Sequence, residues 1–129
     1  MDRQYLLDLA TDKVRVHWAR AQAAYPAVSG MSPPAVKINA RLKTTAGLAY
    51  GTQHRVEFSA ELMWEHTQHF IVDTIPHEVA HIVADLQYVG CKAHGAEWRS
   101  VMKFLSGIEP RRCHNLVNSV WEARKAHAI

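Results

Sequence analysis

Two histidines and a glutamate with metal-site spacing occur in the segment HEVAH, residues 77–81. On a helix, residues i and i+4 share one face, so the imidazoles of His77 and His81 can reach the same metal ion. Glu78 lies beside them and is placed to take a proton from a metal-activated water without binding the metal itself. The segment therefore predicts a zinc centre that hydrolyses peptide bonds, with Glu78 as the general base.

The residues around this motif favour a metal site over the alternative, a core helix with surface histidines. The chain has nine histidines, so shuffled sequences contain such a motif by chance in roughly a few per cent of trials. Here the interleaved residues are apolar, which is typical of a helix buried against the rest of a fold. The buried setting would place the metal ion in a partly dry cleft.

A catalytic zinc site also needs a third protein ligand and an open position for water. The extended pattern HExxHxxGxxH would require glycine at position 84 and histidine at 87, where this chain has alanine and glutamine. Two downstream residues, His94 and Glu97, are therefore the alternatives for the third ligand. Asp85, one turn beyond His81, is predicted to orient a ligand histidine rather than to bind the metal.

The elements that must position these residues follow from hydrophobic periodicity. The pattern predicts an N-terminal helix over 2–25, a loop over 26–34, three strands, a short helix over 61–70, the metal-binding helix over 73–88, and helices over 96–105 and 116–127. The strands, near 36–43, 48–51 and 55–58, are expected to form a small antiparallel sheet or meander. The predicted fold class is α+β, with one domain over 1–129.

Composition supports one ordinary globular domain. The chain has 129 residues, of which 48% are hydrophobic and 21% charged, enough to bury one core without disulfides. Cys91 and Cys113 are expected to be reduced thiols. No signal segment opens the sequence and no apolar run is long enough for a membrane span. We expect a cytoplasmic monomer without membrane contact, associated with the nucleoid if it meets DNA, and nuclear in a eukaryote.

Charge is distributed unevenly along the chain. Residues 61–89 carry five acids and no lysine or arginine, whereas residues 90–129 carry seven bases and three acids. The acidic middle suits a cation site, and the basic flank suits anionic partners. An ordinary solvated surface is the alternative interpretation, because a pI near 9.0 is common among proteins.

Several motifs, in order, resemble the SprT-like metalloprotease family, which includes bacterial SprT and eukaryotic Spartan. The central match is HEVAH (77–81), followed after a short spacer by HGAEWR (94–99). The resemblance spans about 36–114 and includes NARLKTTAG (39–47), FSAEL (58–62), VDTIP (72–76) and RRCH (111–114). It implies a zincin-like SprT-like domain in which His77, His81 and His94 bind one zinc ion and Glu78 is the base. Glu97 is then not a ligand.

The chain differs from the family in its flanks. Bacterial SprT proteins often add a cysteine-rich zinc ribbon, and Spartan adds DNA-binding tails; with two cysteines in 129 residues, no second zinc site is expected. The resemblance implies protein substrates, including proteins associated with or crosslinked to DNA. Any DNA contact must then come from the domain itself, and the candidate contacts are Arg99, Lys103, Arg111 and Arg112.

Three further expectations concern the chemistry of the site. The group that stabilises the developing oxyanion is not identified, and the candidates are Tyr50, Tyr88 and His114. By analogy with zinc proteases generally, substrate is expected to lie extended along an edge of the small sheet. The alternative to a protease is a zinc-containing module that binds DNA or protein with little or no proteolytic activity.

Overall fold

The computed structural model describes residues 1–112 and 114–127; Cys113, predicted to be a reduced thiol, lies outside them. In chain order the elements are α1 (Arg3–Ala24), a 3-10 turn (Pro26–Val28), β1 (Ala35–Asn39), β2 (Gly47–Tyr50), β3 (Arg55–Ser59), α2 (Ala60–Glu65), the short turn α3 (Thr67–His69), a π-helical segment (Phe70–Thr74), α4 (Ile75–Gln87), α5 (Ala96–Ser106) and α6 (Ser119–His127). The predicted α+β class is confirmed. Within these ranges, no helix has the length and apolar character needed to cross a bilayer.

The cap and the apolar pattern of the sequence explain helix α1. Asp2 caps α1 by accepting a hydrogen bond from the Tyr5 main chain at 3.0 Å, and Pro26 begins the turn that follows. A buried stripe runs along one face of the helix and consists of Leu6, Ala10, Val14, Trp18 and Ala21. Full burial of each large member stabilises the fold by about 1.5–3 kcal/mol. This stripe packs α1 against α4 and β1.

The three strands form one sheet, but the predicted antiparallel meander is wrong. The strand order is β1-β3-β2, with β1 parallel to β3 and β2 antiparallel to β3. The connection over residues 40–46 carries the chain past the central position, which β3 then fills. Alternation of apolar and polar residues specifies which face of a strand is buried, not which strand it pairs with. Because β3 occupies the central position, β2 lies at an edge of the sheet.

A single helical stretch precedes and includes the metal-binding motif. Helices were predicted to be separate over 61–70 and 73–88, whereas the helical backbone continues from α3 through the π-helical segment into α4. Pro76 stands in the first turn of α4 and has no N–H to donate to the carbonyl of Val72. The widened turn accommodates this loss, because Ile75 bonds the carbonyl of Phe70, five residues back, as in a π-bulge.

Helix α4 lies at the centre of the fold. It packs against α1, α5, β2 and β3, and its face away from the motif histidines is fully buried through Ile75, Val79, Ile82 and Val83. Helix α5 covers it with Trp98, Val101, Met102 and Leu105. The helix α5 then ends at Gly107, whose φ of 73° is left-handed and suits glycine.

The C-terminal segment is attached to the rest of the chain by a buried polar cluster. The side-chain amide of Asn118 donates to the carbonyl of Lys43 at 2.9 Å and to the carboxylate of Glu61 at 2.8 Å. Its side-chain oxygen accepts from the Trp121 main chain at 3.0 Å and so caps α6. Glu61 also forms an ion pair with Lys43 at 3.0 Å. Asn118 thus joins α6, α2 and the loop before β2.

Replacing Asn118 with alanine is expected to destabilise the protein. The change removes a helix cap and leaves the Lys43 carbonyl without its partner, at a cost of about 1–3 kcal/mol. Urea unfolding of Asn118→Ala and Asn115→Ala would measure the effect, since Asn115 is exposed and serves as the matched control. Equal free energies of unfolding for the two variants would show that the cluster contributes nothing.

Candidate metal centre

A row of polar side chains faces one cleft along the continuous helix. His69, Asp73, His77, His81 and Asp85 recur every four residues and all line this cleft. Side chains four apart share a helix face, one turn above the other. The fold therefore exposes one face of an otherwise buried helix, and two of its imidazoles are brought together at the centre of the row.

His94 approaches the same point from the loop between α4 and α5. Its φ of 58° is left-handed, a conformation uncommon for residues other than glycine. Two turns hold the loop, with Cys91 N–H donating to the Tyr88 carbonyl and Gly95 N–H to the Lys92 carbonyl, both at 3.0 Å. Strained backbone of this kind persists where the surroundings over-determine it, and it clusters at functional sites.

Trp98 fixes the three imidazoles relative to one another. Its indole is fully buried, and its N–H donates to the main-chain carbonyl of His77 at 3.2 Å. The ring is stacked on His81 with centroids 5.3 Å apart, and it contacts His77 and His94 with centroids 4.7 Å apart in each case. One side chain on α5 therefore supports groups from α4 and from the loop.

The three imidazoles converge through the same nitrogen. Nε2 of His94 lies 3.1 Å from Nε2 of His77 and 3.0 Å from Nε2 of His81, and all three atoms lie within 4.8 Å of one another. Two nitrogens bound to a tetrahedral zinc ion at about 2.05 Å are themselves about 3.3 Å apart. Three nitrogen atoms this close together could hold one metal ion.

Burial keeps these imidazoles neutral. Desolvation, with a smaller contribution from neighbouring histidines, lowers the pKa of His77 to about 3 and that of His81 to about 4. The pKa of His94 is also lowered, by desolvation and then by the charge of Arg112. A histidine must be unprotonated to bind a metal, and at neutral pH these three already are.

Glu78 is buried beside the histidines, with its Oε2 3.8 Å from Nε2 of His77. Burial raises the pKa of its carboxyl group to about 8, because an apolar setting disfavours the charged form; a cation in the site would act in the opposite direction. A Cβ placed on Gly47 would lie 2.9 Å from Cγ and 3.1 Å from Oε2 of Glu78. Glycine at position 47 thus lets the edge strand approach the carboxylate.

The centre opens into a cleft of about 610 Å³. Strand β2 and the loop before it form one wall, and the helix carrying the two motif histidines forms the floor. Arg111, Arg112 and His114, from the segment after α5, also line it. Strand β2, the motif helix and this segment thus contribute to one open cleft.

Comparison with known sequences places these features in a family. The profile of the SprT-like family matches residues 11–114, a span that includes the three histidines, Glu78 and the edge strand. The chain belongs to the SprT-like family. This membership confirms the resemblance seen in HEVAH and HGAEWR.

Named relatives are proteins called SprT. That of Pseudomonas aeruginosa (strain LESB58) is 34% identical over 102 residues, which cover 74% of this chain and 61% of the relative. That of Pasteurella multocida (strain Pm70) is 36% identical over 94 residues, covering 72% of this chain and 56% of the relative. The chain thus spans less than two thirds of the length of these SprT proteins. No solved structure matches.

The two alternatives for the third ligand of this SprT-like site lie at different positions in the fold. Among the described residues, the metal-ligand cluster contains His94 and does not contain Glu97. The carboxylate of Glu97 lies instead beside Gly95, at the start of α5. Asp85 lines the cleft, and its Oδ1 accepts from the thiol of Cys91 at 3.9 Å. That Asp85 orients a histidine stays a prediction.

The predicted nucleic-acid contacts fall into two groups. Arg111 and Arg112 line the cleft, whereas Arg99 and Lys103 are exposed on α5 and do not. Arg99 also forms an ion pair with Glu109 at 3.6 Å. The structure does not place the four bases along one wall, and their contact with nucleic acid stays a prediction.

The candidates for oxyanion stabilisation differ in their availability. His114 lines the cleft, but its Nδ1 accepts from the Leu116 main chain at 3.0 Å and its Nε2 lies 2.9 Å from the carbonyl of Thr44. Its Nε2 therefore carries the hydrogen and both nitrogens are occupied. Tyr50 packs against the guanidinium of Arg55 at 4.5 Å, and neither Tyr50 nor Tyr88 lines the cleft.

His69, Asp73 and Gly47 were not assigned to the site from sequence, but all three line the cleft. His69 and Asp73 lie in the helical stretch before α4, and Gly47 is the first residue of β2. Nε2 of His69 lies 3.6 Å from Oδ2 of Asp73. The neighbouring His66 does not line the cleft, and its Nε2 lies 2.7 Å from the carbonyl oxygen of Val117. Asp73 and His69 stand four and eight residues before His77. This spacing would have placed them on the same helix face if the helix had been predicted to continue.

Metal content should distinguish His94 from Glu97. We expect about one zinc ion per chain in the wild-type protein and in Glu97→Ala, and loss of the metal in His94→Ala, because two imidazoles alone do not complete the site. Elemental analysis of the purified variants, with circular dichroism as a check on folding, is the measurement. Zinc retained by His94→Ala and lost by Glu97→Ala would contradict the three-histidine assignment.

Proposed function

We propose that this SprT-like protein is a zinc-dependent metallopeptidase. The observation that carries the proposal is the convergence of the Nε2 atoms of His77, His81 and His94 next to the buried carboxylate of Glu78, inside a cleft bounded by an edge strand. A binding site for metal alone has no need of a buried acid that is not one of its ligands.

The donor set supports zinc as the metal. Three imidazole nitrogens are the ligands of several catalytic zinc sites, and they leave the fourth position for water or substrate. Carboxylate-rich octahedral sites, which suit magnesium or calcium, have a different composition. Among the described residues the cluster contains histidines alone, which favours zinc and a single open position.

The chemistry that such a metal supplies when bound is Lewis acidity, which makes water more acidic and a peptide carbonyl more electrophilic. Glu78 takes the proton from the attacking water and delivers it to the nitrogen of the leaving amine. Its burial suits the second step, because an apolar setting raises the affinity of the carboxyl group for a proton. Trp98 holds the imidazoles, and Gly47 leaves space for the Glu78 side chain.

Strand β2 offers a surface for an extended substrate. It pairs with β3 on one side only, and its residues 47–49 line the cleft. The N–H and C=O groups on the other side of an edge strand can pair with a peptide main chain, whatever the side chains of that peptide. We propose that substrate peptides bind as an additional strand, with the scissile bond opposite Glu78.

The substrate class is a separate proposal. Proteins associated with or crosslinked to DNA are the substrates that the resemblance to Spartan implies, and Arg99 and Lys103 on the exposed face of α5 support contact with a polyanion. The competing function is a zinc-containing binding module with no proteolysis. The two differ in their response to loss of Glu78, since DNA binding by a module would not depend on a general base.

Glu78→Gln is expected to abolish hydrolysis and to leave zinc content and folding unchanged. The substitution keeps the size of the side chain and removes its ability to accept a proton, at a cost of about 10²–10⁴ in rate. The rate of cleavage of a mixed library of quenched fluorescent peptides measures the effect, with Glu109→Gln, an exposed position, as control. Full activity in Glu78→Gln, or none in the zinc-loaded wild type, would reject the mechanism.

Gly47→Ala tests the approach of β2 to the base. The new methyl group would meet Cγ and Oε2 of Glu78 at 2.9 and 3.1 Å, so the carboxylate must move, and a misplaced catalytic group costs on the order of 10–100-fold in rate. Gly30→Ala is the control, because its Cβ would meet nothing within 4 Å. Equal rates of peptide cleavage in the two variants would show that the position of Glu78 is not critical.

A further inference from the structure

We propose that Arg111 and Arg112 form an anion-recognition site at one end of the cleft, which selects peptides with an acidic side chain near the scissile bond. This site gives the proposed peptidase its substrate preference and therefore rests on the proposed function. The guanidinium groups would bind the carboxylate of an aspartate or glutamate. This role differs from the contact with nucleic acid that the sequence predicted for Arg111 and Arg112.

The two arginines belong to the cleft that contains the metal-binding histidines. They stand just before His114 in the chain, whose Nε2 lies 2.9 Å from the carbonyl of Thr44, and Thr44 lines the same cleft shortly before β2 begins. The start of β2 lies beside Glu78 and its far end beside Asp85, so the beginning of β2 is toward the N-terminal end of α4. We therefore assign the arginines to that end of the cleft, within reach of a peptide bound at the centre.

Described residues before and after the two arginines contact the rest of the fold. Pro110 is buried, and His114 contacts the carbonyl of Thr44 at 2.9 Å. Further along, Asn118 ties the segment to Lys43 and Glu61. A specificity residue is effective when its backbone is rigid, because less conformational entropy is lost when the ligand binds.

Neither guanidinium has an acidic partner within residues 1–112 and 114–127. Arg55, Arg99 and Arg124 each form an ion pair there, whereas Arg111 and Arg112 form none. Both are exposed and can bind a carboxylate with two parallel hydrogen bonds. An arginine already paired within the protein would not offer these donors to a ligand.

The other charges of the cleft are consistent with one acidic side chain rather than a polyanion. Asp73 lies at the same end, but it is buried and faces His69 at 3.6 Å. Asp85 stands at the opposite end beside Gly51, and Glu78 lies between them. A nucleic-acid strand along the cleft would pass these carboxylates and be repelled, whereas a peptide needs a negative charge at one position only.

Pairing with the edge strand would fix where an acidic side chain of the bound peptide lies. Gly47 lies beside Glu78 and Gly51 beside Asp85, so β2 and α4 run in the same direction along the cleft. A peptide paired with β2 extends about 3.3 Å per residue. Its side chains near one end meet the two arginines, while those near the other end meet Asp85. Cleavage is expected to favour sequences with an acid on the arginine side.

The experiment measures binding separately from hydrolysis. Zinc-loaded Glu78→Gln protein is titrated with fluorescent peptides that are identical except for glutamate or glutamine at one scanned position. We expect the best glutamate peptide to bind about tenfold more tightly than its glutamine counterpart, the effect of a partly exposed charge-assisted pair. Arg111→Gln/Arg112→Gln should reduce this ratio to about one, while the charge-matched control Arg15→Gln/Arg41→Gln should retain it.

Each alternative outcome is decisive. Equal binding of the two peptides, or a preference that survives in Arg111→Gln/Arg112→Gln, overturns the proposal. Binding of a single-stranded oligonucleotide that is lost in this double variant, without any peptide preference, would also overturn it and identify a nucleic-acid contact. Arginine-dependent peptide binding without hydrolysis by the wild type supports the site and rejects the peptidase. Hydrolysis by the wild type without any preference for the glutamate peptide supports the peptidase and rejects the arginine site.

Discussion

The packing of one indole against three imidazoles is the constraint on which the site depends. Trp98 has no exposed surface, and its ring contacts His77, His81 and His94 together. Through its N–H it is also bound to the main chain of α4. Helix α5 therefore cannot shift along α4 without moving the imidazoles apart, and the left-handed backbone of His94 is maintained by the same packing. The positions of the three imidazoles in this candidate metal site are therefore set by packing of the protein itself.

Burial changes the pKa values of the histidines and of Glu78 in opposite directions. It keeps the three imidazoles neutral, which preserves their lone pairs, and it raises the proton affinity of Glu78. Both effects arise because a low-dielectric interior disfavours charge. Burial of the Glu78 carboxyl group costs free energy of folding, and Gly47 on the edge strand leaves room for this side chain. The site thus combines a pre-formed ligand set with an acid tuned by its surroundings.

In the proposed peptidase, substrate recognition divides between main chain and charge. An edge strand such as β2 can pair with an extended peptide whatever its side chains, so it would supply affinity without sequence preference. Arg111, Arg112 and Asp85 line the same cleft and are the charged groups proposed to discriminate between peptides. In this proposal the peptide main chain orients the scissile bond.

Local patterns were enough to predict the HEVAH ligand pair and most of the helices. The four-residue spacing of HEVAH depends only on the helical period, and the buried stripe of α1 on its apolar residues. Which separate segments meet depends on long-range packing. Alternation could not show that β3 lies between β1 and β2, and spacing alone could not show that Arg112 lines the cleft or that His94, rather than Glu97, lies beside His77 and His81. Those contacts join residues that are distant in the chain, and they depend on how the buried faces of α4 and α5 pack together.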